Sequence, residues 1–142
     1  MWFGLSSDSE ALENASRVPE IPWVRNDKGH FRRLVQVDGD DPELAGSGGV
    51  AVFFHRGVRP GWVCVTAADD LGGMMKRALA DPEVAAFEDR GGLFVTWAFV
   101  KPEYRDGIVA YLRGLLVPEI AETALDGWHH YEAEPIPVRP PH

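Results

Sequence analysis

The chain has a single cysteine, Cys64, among 142 residues, so no disulfide forms within it and no multi-cysteine metal site is available. Flanked by Val63 and Val65, that thiol reads as buried and inert, which suits a reducing compartment. Basic side chains are also scarce. Fourteen Lys and Arg stand against twenty-two Asp and Glu, and the formal charge of −8 opposes tight binding to a phosphate backbone. No apolar run approaches the roughly 18 residues of a membrane span. Met1-Trp2-Phe3-Gly4-Leu5 lacks the basic and apolar regions of a signal peptide. The expectation is a cytoplasmic protein with no membrane contact, whose partner is a protein or a small ligand and which needs no cofactor. Partner identity and oligomeric state stay open.

What is present is one core's worth of apolar sequence, 45% of the chain. Val50 to His55 and Trp62 to Thr66 are rich in β-branched and aromatic residues. Arg56-Gly57-Val58-Arg59-Pro60-Gly61 between them supplies turn chemistry, so the pair predicts a β-hairpin. The period then changes: Leu71, Met74, Met75, Ala78 and Leu79 recur at helical spacing behind Asp69 and Asp70. Asp81-Pro82-Glu83 ends that helix and opens another that faces Val84 and Phe87 inward. After Arg90-Gly91-Gly92, Leu93 to Val100 predicts a central strand, and Glu103 to Val117 a helix burying Ile108, Leu112, Leu115 and Leu116. Glu119 to Leu125 adds a last helical turn or two.

The flanks are less regular. A capping box at Ser7-Asp8-Ser9-Glu10 predicts a short helix to about Arg17, and Phe31 to Val37 predicts an edge strand. Residues 1–48 are expected to be an N-terminal arm and acidic loop, 49–125 the core domain, and 126–142 a Pro-rich tail, extended or disordered, outside the core. The fold class is therefore α/β in the broad sense and α+β in detail. It comprises a small sheet of three or four strands, mixed or antiparallel, flanked by helices.

The order hairpin, helix, helix, strand, helix, with Gly49-Val50-Ala51, ten intervening residues and then Trp62-Val63-Cys64, resembles the GIY-YIG nuclease superfamily over about residues 49–121. Asp70-Leu71 fits a further landmark of that family. The resemblance implies metal-assisted phosphodiester hydrolysis, in which tyrosines place the water, an Arg stabilises the phosphate and a Glu on the last helix holds the ion. Ala51 and Trp62 stand where the two tyrosines are expected, Met74 where the Arg is, and Leu112 where the Glu is. None of these side chains can do the replaced work. Two functions follow: a non-catalytic binding or interaction module, with His55, Arg56, Trp62, Lys76 and Arg77 around the ancestral site, or a divergent phosphodiesterase using Lys76 or Arg77 with Glu103 or Asp106. The missing groups and the acidic charge favour the first.

Other constellations have plainer readings. Asp38, Asp40, Asp41 and Glu43 lack calcium-loop spacing, and Pro42 stiffens them, so they read as a solvated loop. His129 and His130 are adjacent in an extended segment and point opposite ways, which opposes shared metal binding. Gly46-Ser47-Gly48-Gly49 precedes a strand, where a phosphate-cradling loop precedes a helix. Trp2, Phe3, Trp23, Trp62, Trp97 and Trp128 are many large aromatics for strands this short, and an exposed patch of them would mark a partner surface.

Overall fold

Strand alternation sets the layering. The computed structural model describes residues 18–56, 60–121, 123–127, 129 and 131–142. Its four strands are β1 (Arg32–Arg33), β2 (Gly49–His55), β3 (Gly61–Ala68) and β4 (Leu93–Phe99). They form one sheet in the order β1-β4-β2-β3, with every pairing antiparallel. The helices are α1 (Leu71–Ala80), α2 (Pro82–Ala85) and α3 (Pro102–Leu116), which makes the class α+β, as expected. Within β2, Ala51 and Phe53 join Leu71, Met74, Met75 and Ala78 of α1 in one apolar cluster. Val50 and Val52 point the other way, into a cluster with Ile108, Val109 and Leu112 of α3. The sheet is thus the middle of three layers. Cys64 is fully buried in the first, and desolvation pushes its thiol far above the ordinary range.

Local signals explain the helices. Asp81 caps α2 by accepting from the backbone N–H of Glu83 and Val84 at 2.9 and 3.2 Å, and Pro82 occupies the first helical position. The first turn of α1 holds two glycines, Gly72 and Gly73, that helix propensity disfavours. At Gly72 the reason is close packing, since a Cβ there would come within 2.2 Å of the Gly39 carbonyl oxygen. The acidic loop therefore lies directly on the helix backbone. Asp70 fastens both, accepting from Gly46 N–H at 2.9 Å and from Gly73 N–H at 3.1 Å.

Four expectations are corrected. Only Arg32 and Arg33 of the Phe31–Val37 run pair as strand, and Leu34–Gln36 is a 3-10 turn. Turning there buries Leu34 and Val37, three apart, and leaves Val35 56% exposed, which a strand's two-residue period cannot do. On α3 the buried stripe runs through Ile108, Val109, Leu112 and Leu116, and Leu115 falls outside it, half exposed. Among the described residues of Glu119–Leu125, the helical ones belong to a 3-10 turn at Ala124–Asp126, and Glu119 and Ile120 instead donate their N–H groups to Trp62 O and Val63 O along the edge of β3. The tail is extended, but it does not lie outside the core. Val138 is buried in the second cluster, Ile136 N–H donates to Gly107 O at 2.9 Å, and Trp23 Nε1 donates to Arg139 O at 2.8 Å. Gly107 permits this, since a Cβ there would lie 2.5 Å from the Ile136 side chain. The expected helix ending at Arg17, and Trp2, Phe3, Trp128 and His130, lie outside the described residues.

The Asp70 clamp has a pH signature. The N–H groups of Gly46 and Gly73, with Arg77 nearby, hold its carboxyl below the ordinary range. A depressed carboxyl stabilises the fold above its unfolded pKa, and this contribution is lost as pH falls through the folded value. Asn keeps the capping geometry without the charge. Between about pH 7 and about pH 3 the urea midpoint of the parent protein should therefore fall more steeply than that of Asp70→Asn. Parallel falls would show that the carboxylate charge does not matter there.

Candidate binding groove at the hairpin end

Where β2 and β3 approach their connection, the pairing shifts between Phe53 and Phe54, and this irregularity sets Phe54 opposite Trp62 on one side and Phe94 on the other. Cross-strand aromatic neighbours pack well at such positions. Phe54 stacks on Phe94 with ring centroids 5.6 Å apart, and meets Trp62 edge-on at 5.9 Å and Phe31 edge-on at 5.4 Å. The four rings form a row across the sheet, each half-buried. Cations cover its exposed side: the Arg56 guanidinium lies 4.5 Å from the Phe94 centroid, and that of Arg25 lies 4.1 Å from Phe31. Beside the row opens a groove of about 430 Å³ with apolar walls, lined by Phe54, His55, Arg56, Pro60, Gly61 and Trp62.

His55 also lines the groove. Its side chain lies on the α1 side of the sheet, 6% exposed, with the imidazole stacked on Phe87 at 5.5 Å. Nε2 lies 2.8 Å from Glu119 Oε2, and Nδ1 is buried without a hydrogen-bond partner. Arg90 reaches the other oxygen of Glu119 at 3.6 Å and covers Phe87 at 4.6 Å. With one nitrogen on a carboxylate and the other enclosed, His55 holds the chain end of β2 against the segment after α3. Among the described residues that line the groove, the exposed cation is Arg56.

The five residues singled out from the sequence do not converge. His55, Arg56 and Trp62 share the groove, whereas Lys76 pairs with Asp40 of the acidic loop and Arg77 donates to Leu125 O at 3.1 Å. The positions where the nuclease resemblance expects tyrosine, arginine and glutamate are also divided. Ala51 and Met74 are fully buried in one cluster, and Leu112 is fully buried in the other, across the sheet. In the acidic loop, Asp38 accepts from Asp40 N–H and Asp41 from Glu43 N–H, both at 2.9 Å, so these carboxylates serve local turns. Among the described residues, no group of three His, Cys, Asp or Glu side chains is placed to hold a metal ion.

Sequence reasoning missed Phe31, Phe94 and Glu119. The rings become neighbours only through strand register, and Glu119 meets His55 across 64 positions of chain. Compared with known proteins, the chain matches no family model, no curated protein and no solved structure.

Glu119 is delivered by an unusual turn. Val117, which ends α3, has φ 48° and ψ 65° and is 76% exposed. A β-branched residue is strained in this left-handed conformation, and glycine is not. Val117→Gly should raise stability by about 1 kcal/mol, read as a higher urea midpoint at unchanged slope. A loss of stability would mean that Val117 makes compensating contacts.

Proposed function

We propose that the chain is a non-catalytic binding module on a scaffold resembling GIY-YIG nucleases, and that the hairpin-end groove is its contact surface. The occupant suited to it is an apolar group that carries a carboxylate, on a partner protein or a small ligand. The observation that carries this reading is the half-buried aromatic row beneath Arg56. The rings offer apolar area that is only partly covered, and the exposed Arg56 guanidinium, 4.5 Å from the Phe94 centroid and 5.7 Å from that of Phe54, brings cationic N–H donors beside them. The scaffold likeness is supported by the element order, hairpin, α1, α2, β4, α3, and by nothing at the level of catalytic groups. A divergent phosphodiesterase has no comparable support, since Lys76 is held by Asp40, and Glu103 and Asp106 lie exposed on α3.

The negative net charge disfavours nucleic acid as the occupant, although the groove itself is locally cationic. An indole carboxylate such as indole-3-acetate is a suitable probe. Titration followed by NMR should shift the Trp62 indole N–H and the amides of Phe54 and Arg56 saturably. Trp62→Ala should weaken binding by about 2 kcal/mol or more, and Arg56→Glu by at least about tenfold. Saturable, salt-sensitive binding to a polynucleotide, with no response to the carboxylate, would refute the assignment.

A further inference from the structure

At the opposite end of β3 a carboxylate is buried between two clefts. One, of about 230 Å³, lies toward Pro102, Asp106 and Tyr131; the other, of about 570 Å³, lies toward Asp70, Arg77 and Gly127. They share Ala67, Ala68, Asp69 and Asp126. The Asp126 side chain is 3% exposed. Its Oδ2 accepts from the Tyr131 hydroxyl at 2.8 Å, from Thr66 Oγ1 at 3.0 Å and from Arg113 Nη2 at 3.3 Å. Tyr131 is fixed as a donor to it, because burial pushes the phenol up to about 12 and its oxygen in turn accepts from Ala67 N–H at 3.2 Å.

Oδ1 of the same carboxylate is buried and has no hydrogen-bond partner. An ionised carboxylate accepts through both oxygens, and an enclosed oxygen left bare is costly. The guanidiniums that line the clefts, Arg105 and Arg77, and Arg113 beside them are already engaged by the protein. Arg105 donates to Val100 O at 2.7 Å and to Asp69 at 2.6 Å, Arg113 Nε to Val65 O at 3.0 Å, and Arg77 to Leu125 O at 3.1 Å. Among the described residues, Asp106, exposed at the cleft, is met by His129 Nε2 at 3.4 Å, a weak contact. Carboxylates outnumber guanidiniums along the two walls, Asp69, Asp70, Asp106 and Asp126 against Arg77 and Arg105, and Arg113 reaches Asp126 from outside that lining. What the site lacks is a donor, and the surplus charge is negative.

We propose that these clefts form a second binding site, separate from the hairpin-end groove, for a small ligand whose primary ammonium or guanidinium group donates to Asp126 Oδ1. Asp106 supplies the attraction at the mouth, and Tyr131 and Thr66 hold the accepting carboxylate in place. A hydroxyl would satisfy the bare oxygen but not the excess charge, and an ordered water would satisfy it without any ligand.

Agmatine and a diol of equal length separate these possibilities. Agmatine should move the amide resonances of Ala67, Ala68 and Gly127 saturably in the parent protein, and the diol should not. Asp106→Arg reverses a charge at an exposed position, outside the buried network, and should weaken agmatine binding at least about tenfold. Asp126→Asn should abolish the shifts; should that variant fail to fold, Asp106→Arg decides alone. The proposal is overturned if agmatine produces no saturable shift, which leaves ordered water as the occupant, if the diol binds equally well, or if Asp106→Arg binds agmatine unchanged.

Discussion

β2 is buried on both faces, and the rest of the molecule is arranged to satisfy that. Ala51 and Phe53 need one apolar layer, Val50 and Val52 another, so helices on a single side cannot complete the fold. α1 and α2 close the first face. α3 closes the second only in part, and the tail finishes it by setting Val138 beside Ile108 and Leu112. The same arrangement protects the outer edge of β3. Its backbone oxygens at Trp62, Val63 and Val65 accept from Glu119 N–H, Ile120 N–H and Arg113 Nε, and Ala67 N–H donates to the Tyr131 hydroxyl. An edge strand covered in this way offers little to a foreign strand.

The elements legible in the sequence were those specified by local chemistry. The hairpin, the acidic start of α1, the Asp81 cap with Pro82, and the helical spacing of Met74, Met75 and Ala78 each depend on residues within a few positions of one another. The elements misread depend on distant partners. Leu34 and Val37 break the strand period because a core waits beneath them, and the tail's prolines suggest exposure although Gly107 has made room for Ile136. The candidate site divides the same way. His55, Arg56 and Trp62 come together because one hairpin brings them together. Lys76 and Arg77 go elsewhere, because Asp40 and the Leu125 carbonyl, both distant in sequence, hold them.

Charge is distributed unevenly along β3. The Trp62 end carries an aromatic row with Arg25 and Arg56 over it, and the Ala68 end carries Asp69, Asp106 and Asp126. A net charge of −8 therefore describes neither end. At distances longer than about 8 Å in physiological salt the two ends are screened from each other, so each surface presents its own local electrostatics. Both surfaces are formed where side chains from separate elements meet at a strand end, and it is the layering around β2 that brings those elements together.

Native-state hydrogen exchange tests that dependence most directly. If the tail is part of the layer that buries β2, the amides of Ile136 and Arg139, bonded to Gly107 O and Pro19 O, should exchange with nearly the same opening free energy as those of Val50 to Phe53. Unprotected exchange at Ile136 and Arg139, with β2 still strongly protected, would contradict the account by showing that α3 alone is enough to close the second face.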